Sequence, residues 1–480
     1  MMPNSQKIPR IQAIHISLAI LFFFVFLLFF QLMDYSLILP FFLFFLGIHL
    51  WFFKKASVWL FVRLLLLLTL ILFTAHIIHT YTDVSLYYIP VPAVAMLTML
   101  LFSDLQFVFL IALASSFLVT FTVGGDFGMM LTFFLGGLMG AYMTKEARTR
   151  AHLMTAGLFV SAVQLACLFL LKVNSNLLLT HDYVMQYVYP LAASGFMSAL
   201  VVLATLKIFE TIFGILTTFS LLELSDFNQP LLKRMVLEAP GTYHHSLVVS
   251  NLAEAAADAI GANALLTRVG AYYHDIGKLV RSEYFTENQF GTGNVHDRIE
   301  PSVSRLIILN HVKEGIELAK KYKLGQAIID FIPQHHGTSL MHYFYQRSLE
   351  EAKEGEVVQD TDYRYPGPKP QSKETAITLL ADSVEGASRS LGEPNPTNIQ
   401  ETVQKVINNK FIDGQLDECN LTLKEIHIIT QTFVRILGAM YHSRVKYPEK
   451  KNGNSHKKPA EKNKTQSPSD LRDHPGHPSP

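Results

Sequence analysis

Residues 271–279 read AYYHDIGKL, which sets His274 beside Asp275 two positions before Gly277. Neighbouring side chains on a helix diverge by about 100°. The pair can converge on one metal ion if the helix unwinds there, and a glycine permits that. One His-Asp step is weak evidence by itself, and a second copy, His296-Asp297, follows it. The surrounding residues give it weight. His244 and His245 come before, His311 after, then His335-His336 and Asp382. Imidazole and carboxylate donors together suit Mn, Fe or Zn, and there are enough of them here for two ions. His335 and His336 also point apart on a helix unless it is ending, which Gly337 allows.

No serine or cysteine nucleophile constellation, Walker loop or dinucleotide fingerprint is present, so water activated by metal is the consistent nucleophile. Cys167 and Cys419 are the two cysteines, and the first lies in an apolar run. That excludes a cysteine-based zinc site and a disulfide framework, and it fits a reducing compartment for the polar half. The formal net charge of +1 predicts no nucleic-acid polymer as partner.

Half of the 480 residues are hydrophobic and 16% are charged, as in a membrane protein with a soluble part. After a short N-terminal segment, 1–13, apolar runs cover 14–33, 35–53, 57–80, 88–102, 105–123, 127–144, 152–173 and 186–208. The first has the length of a full span and no clear cleavage site after it, so it is expected to be an uncleaved anchor. Eight spans put Lys7/Arg10, Lys54/Lys55 and Lys145/Arg148/Arg150 on one side, with Asp34, Asp83, Asp126 and Asp182 opposite and Lys172 as the exception. Both termini are then cytoplasmic. Arg63 reads as a residue snorkelling at a helix end, and Gly136, Gly137 and Gly140 as close helix packing.

The remaining expectations are a linker helix over 209–237, a soluble domain over 238–448 and a disordered Lys/Pro/Ser/Asn-rich tail over 449–480. Within the domain, helices are expected over 242–260 with Thr242 as N-cap, 265–274, 301–311, 314–322, 325–335, 374–391, 397–410 and 422–447, with an insertion over 351–373. No comparable strand run exists. The fold class is therefore all-α, a polytopic helical membrane domain followed by an all-α soluble domain.

Six blocks then fit one pattern: GTYHHS at 241–246, YYHDIGKL at 272–279, NVHD at 294–297, HHGT at 335–338, YRYPGPKPQ at 363–371 and LADSVE at 380–385. Together they resemble the HD-domain metal phosphohydrolases, more narrowly the membrane-bound seven-transmembrane HD family, whose characterised members are bacterial cyclic-di-AMP phosphodiesterases. The likeness spans about 238–447 and the apolar region before it. It implies a metal set of His245, His274, Asp275, His311, His335, His336 and Asp382, with Asp275 bridging two divalent ions, Mn or Fe. His336 is either a ligand or a phosphate contact, and His244 is the structural neighbour of His245. Lys278 would then reach the substrate phosphate, Arg389 and the YRYPGPKPQ loop would contact the nucleotide, and His296-Asp297 would fix a loop. The implied activity is hydrolysis of cyclic di-AMP to pApA on the cytoplasmic side of the bacterial cell membrane. The implied partners are that dinucleotide, the bilayer and a second copy of the chain. A Gly-Tyr-Pro signature of cyclic-di-GMP-cleaving relatives does not follow the His-Asp-Ile-Gly-Lys turn. Relatives carry a large extracytoplasmic domain after the first span, where this chain has a tight turn at Asp34. The alternatives are an HD hydrolase of another nucleotide, or a membrane receptor whose HD domain only binds nucleotide.

Overall fold

The structure, a computed structural model, describes residues 58–172, 180–289, 293–353, 357–392 and 395–441. The spans expected over 14–33 and 35–53 and the tail over 449–480 lie outside the described residues.

The membrane half contains the helices Val58–Tyr81, Pro92–Phe102, Leu105–Thr122, Phe127–Thr144, Arg150–Lys172 and Tyr189–Phe213. Among the described residues, five helical stretches are long and apolar enough to cross a membrane, the last running from His181 to Phe213 through a π-helical turn at Val184–Val188. In a bilayer a helix satisfies its own backbone polar groups. Thr98 and Thr122 return their hydroxyls to the carbonyls of Val94 and Leu118, at 2.7 and 2.8 Å. The segment expected over 88–102 is shorter than a full span, because Pro90 and Pro92 keep Leu86–Tyr88 out of the helix. It still joins the two ends of the bundle. Ser85 Oγ donates to the Gln186 carbonyl at one end, and the Phe102 ring meets Phe213 edge-on at the other. Arg63 donates to the Phe213 carbonyl. The first described helix therefore begins at the end of the bundle where the last one stops.

The region 209–237 is not one helix. Gly214 takes a left-handed φ of +64° and ends Tyr189–Phe213, and two short helices follow, Thr218–Leu224 and Pro230–Glu238. The buried Glu210 carboxylate fixes the turn. It accepts from Thr217 N at 3.2 Å and Ser220 Oγ at 2.6 Å, and Lys207 lies 3.3 Å away.

In the soluble half, helix Pro240–Ala259 contributes Val249, Leu252, Ala253 and Ala256 to a core shared with Lys373–Arg389, Pro396–Ile412 and Leu423–Met440, which supply Ile377, Leu380, Val403 and Phe433. A second core unites Leu231, Met235, Tyr273, Ile276, Val312 and Ile332. Helix Ala264–Tyr273 serves both, with Ala271 in the first core and Tyr273 in the second, so the His-Asp step emerges between them. Among the described residues, β structure is a single bridge, Leu340 to Arg364.

Several boundaries differ from those expected. Pro240 at the first helical position starts the helix that Thr242 was expected to cap, and Thr242 instead donates to Glu287. The helices expected over 301–311 and 314–322 are one, Pro301–Lys321, since no breaker separates them. Pro333 lies in a short helix, Phe331–Gln334, separate from Gln326–Ile329. Helix His342–Glu351 was not anticipated.

Gly277 is not in the left-handed region; its role is space. A Cβ there would stand 1.8 Å from the His311 carbonyl oxygen and 2.6 Å from Gly315 N. The turn after Asp275 therefore lies directly on helix Pro301–Lys321, which brings His311 to Asp275. Gly277→Ala is expected to destabilise the soluble half by roughly 3 kcal/mol or more, because backbone must move to admit the methyl. Thermal unfolding checks this, and an unchanged midpoint would show that the close approach is not needed.

Candidate metal centre

Each candidate ligand comes from a different local structure. His245 is on helix Pro240–Ala259, His274 ends Ala264–Tyr273, and Asp275 follows with φ −110° and ψ 15°. The helical course has broken at that step, so His274 and Asp275 face the same space. His311 is mid-helix in Pro301–Lys321. His335 follows Phe331–Gln334, with Gly337 at φ +54° just beyond, and Asp382 is on Lys373–Arg389.

These seven side chains form two groups, His245/His274/Asp382 and Asp275/His311/His335/His336. Asp275 joins them. Its Oδ2 lies 3.2 Å from His274 Nε2 and 3.6 Å from His245 Nε2. Its Oδ1 lies 3.5 Å from both His311 Nε2 and His335 Nε2. Asp382 spans the gap on the other side, with Oδ1 at 3.0 Å from His245 Nε2 and Oδ2 at 3.7 Å from His336 Nδ1.

The far ring nitrogens fix the tautomers. His274 Nδ1 donates to the Ala271 carbonyl at 2.7 Å, His335 Nδ1 to Ile332 at 2.7 Å, and His311 Nδ1 to Ile308. A carbonyl only accepts, so Nδ1 carries the proton and Nε2 offers a lone pair inward. His274 Nε2, His311 Nε2, His335 Nε2 and Asp275 Oδ1 are all buried without a hydrogen-bond partner. Four buried acceptors facing one another unpaired would be costly, and a divalent cation is the group that satisfies them together. The residues therefore fit divalent metal.

Charge in the site is set by neighbours. Burial opposes ionisation of Asp275, but the Lys278 ammonium and His274 override it and hold its carboxyl well below the usual range. Burial likewise depresses His311, to about 4, and His336. Burial pulls His245 the same way, yet its hydrogen bonds to Asp382 and Glu385 raise it to about 10.

Lys278 lies between Asp275 Oδ2 and Glu287 Oε1, at 2.8 Å from each. Arg389 donates to Glu385, and Glu385 Oε2 takes His245 Nδ1 at 2.6 Å. His244 is exposed. His296 stays out of the cluster and holds the loop, with Nε2 donating to the Tyr284 carbonyl at 2.8 Å and its own carbonyl taking Arg347. Sequence reasoning gave no role to Glu385 or Glu287, and within the YRYPGPKPQ loop it did not single out Tyr365, whose ring stacks on His336 at 4.1 Å. Glu385 was within reach of it, since it follows Asp382 by one helical turn. Glu287 joins the site across an irregular turn that no periodicity marks.

Metal content separates the two His-Asp steps. His311→Ala is expected to lower bound metal clearly, and His296→Ala to leave it at the wild-type level. Elemental analysis of both purified variants decides this, and metal loss in the His296 variant alone would overturn the ligand set.

The chain matches two family models: 7TM receptor with intracellular HD hydrolase over residues 13–217, and HD domain over 242–387. It is 39% identical over 404 residues to the cyclic-di-AMP phosphodiesterase PgpH of Bacillus subtilis, covering 83% of this chain and 56% of that protein. It is 44% identical over 356 residues to the PgpH of Listeria monocytogenes, covering 74% and 49%. The chain thus spans about half the length of these curated relatives. A solved structure of the L. monocytogenes PgpH HD domain in complex with cyclic-di-AMP is 51% identical and covers 45% of this chain and all of that one, with a TM-score of 0.44. With an apolar multi-helix half followed by an HD domain built around a buried His/Asp cluster, the chain belongs to the family of 7TM receptors with an intracellular HD hydrolase.

Proposed function

We propose that the chain is a membrane-bound, metal-dependent phosphodiesterase that hydrolyses cyclic di-AMP to pApA on the cytoplasmic side. The observation that carries this is the placement of Asp275, whose two oxygens face different histidine pairs. His245, His274 and Asp382 would hold one divalent ion and His311, His335 and His336 the other, with Asp275 shared; Mn or Fe suits these donors. Such ions supply Lewis-acid polarisation of a phosphodiester and acidify water at neutral pH.

The chain's own residues set the conditions for that chemistry. Lys278 keeps Asp275 ionised, and Glu287 keeps Lys278 in place. Glu385 orients His245. Asp275, His274, His311 and His335 are enclosed, whereas the side chains of Asp382 and His336 retain 15% and 19% exposure, so a substrate phosphate approaches from their side. The substrate choice rests on the two PgpH relatives.

The cytoplasmic placement rests on charge. Helix Leu105–Thr122 starts beside Phe102, at the Phe213 end of the bundle, so Phe127–Thr144 returns to that end and delivers Lys145, Arg148 and Arg150 there. The soluble half leaves from the same end, and basic loops stay inside.

Asp275→Ala, purified and folded, is expected to retain less than about a tenth of wild-type turnover, because losing the shared carboxylate should remove several kcal/mol of transition-state stabilisation. Hydrolysis of cyclic di-AMP followed by product chromatography reads this, and a variant above that level would sink the two-ion reading. A reporter active only outside the membrane should be silent when fused after Lys450 and active after Asp83. Activity of the Lys450 fusion would refute the cytoplasmic placement and the substrate with it.

A further inference from the structure

Three cations beside the metal centre are already neutralised. Lys278 is held by Asp275 and Glu287, Arg389 donates to Glu385, and Arg364 reaches Asp360 at 3.2 Å and Asp413 at 3.0 Å. Lys410 differs. It stands near the end of helix Pro396–Ile412, and its Nζ donates to Ser339 Oγ at 2.7 Å. Ser339 is buried and neutral, three residues past His336. No carboxylate among the described residues forms an ion pair with Lys410; Asp382 and Asp413 act on it only through space, and burial pulls its ammonium below the ordinary lysine range. A partly buried ammonium whose hydrogen-bond partner is one hydroxyl is under-satisfied.

Its location gives that charge a use. Of the seven candidate ligands, His336 and Asp382 have the most exposed side chains, at 19% and 15%, while none of the others exceeds 8%. The site therefore opens on the Asp382–His336 side, where Ser339 carries Lys410. The Asp275 side is closed by the Lys278–Glu287 pair. Lys410 also lies outside residues 242–387, the part matched as HD domain.

We propose that Lys410 binds the phosphate of a cyclic dinucleotide that is not being cleaved, an inference that rests on the function proposed above. A cyclic dinucleotide carries two phosphodiesters in one ring. With one at the metal centre, the other is held at the mouth of the site as an anion, and a charge-assisted hydrogen bond from Lys410 meets it. A substrate with a single phosphodiester has nothing to offer this residue.

The test compares two substrates on the full-length, metal-loaded protein. Lys410→Met is expected to raise KM for cyclic di-AMP about tenfold or more, with kcat within about twofold. The same variant should cleave bis(p-nitrophenyl) phosphate, which has one diester, with kcat/KM within about twofold of wild type. Lys410→Arg, which keeps the charge, should recover most of the loss, and unchanged metal content in both variants shows that the centre is intact. An unchanged KM for cyclic di-AMP, or an equal loss on both substrates, would overturn the subsite while leaving the proposed activity standing. A wild-type protein that cleaves bis(p-nitrophenyl) phosphate but no cyclic dinucleotide would overturn the activity, and the subsite with it.

Discussion

The soluble half is arranged around one buried carboxylate. Asp275 is 1% exposed, has an unpartnered oxygen, and faces imidazole nitrogens on two sides. An ionised group in such a place needs compensating charge. Lys278 supplies part, at 2.8 Å, and the lone pairs of His274, His311 and His335 converge where divalent cations would supply the rest. The two cores lie on either side of this group, and the glycine two residues later lets the next helix approach closely enough to deliver His311.

The outer ring of contacts keeps those donors aimed. The lone pairs of His274, His311 and His335 point inward because their opposite nitrogens are committed to carbonyls of their own helices, and Glu385 holds His245 in place. The same device recurs in the loops. Glu287 holds both Lys278 and Thr242, and Asn288 accepts from Gly241 N at 2.9 Å. A Cβ on Gly241 would stand 1.8 Å from the Glu287 carbonyl oxygen. GTYHHS and YYHDIGKL, read separately in the sequence, are thus tied to each other through residues in neither block.

The membrane half is joined to this arrangement by short, hydrogen-bonded steps. Glu210 pins the turn after the last long helix, Leu216 packs over Gly325, and Tyr273 Oη donates to the Leu224 carbonyl at 2.8 Å. Tyr273 immediately precedes His274. The path from the bundle to the metal centre therefore runs through packed and bonded groups, a physical precondition for any coupling between the halves.

Much of this was legible in the chain itself. Apolar runs of spanning length marked the long membrane helices because a bilayer demands local backbone satisfaction. Amphipathic periodicity marked most of the soluble helices, and the histidine and aspartate residues offered the candidates from which the family resemblance singled out the seven that the fold brings together. Local chemistry also decided that Thr422 and Ser372 cap the helices that follow them. Tertiary structure decided what depends on partners distant in sequence. Gly277 reads locally as a residue for unwinding a helix, and only the carbonyl of His311 against it shows that it makes room. Lys278 and Arg389 read as contacts for the substrate phosphate and the nucleotide, and only the fold brings Glu287 and Glu385 to them. Lys410 drew no reading from the sequence, and only packing places it on Ser339. Residue type and spacing fix which groups a chain can offer, whereas charge pairing and clearance depend on what the fold sets opposite them.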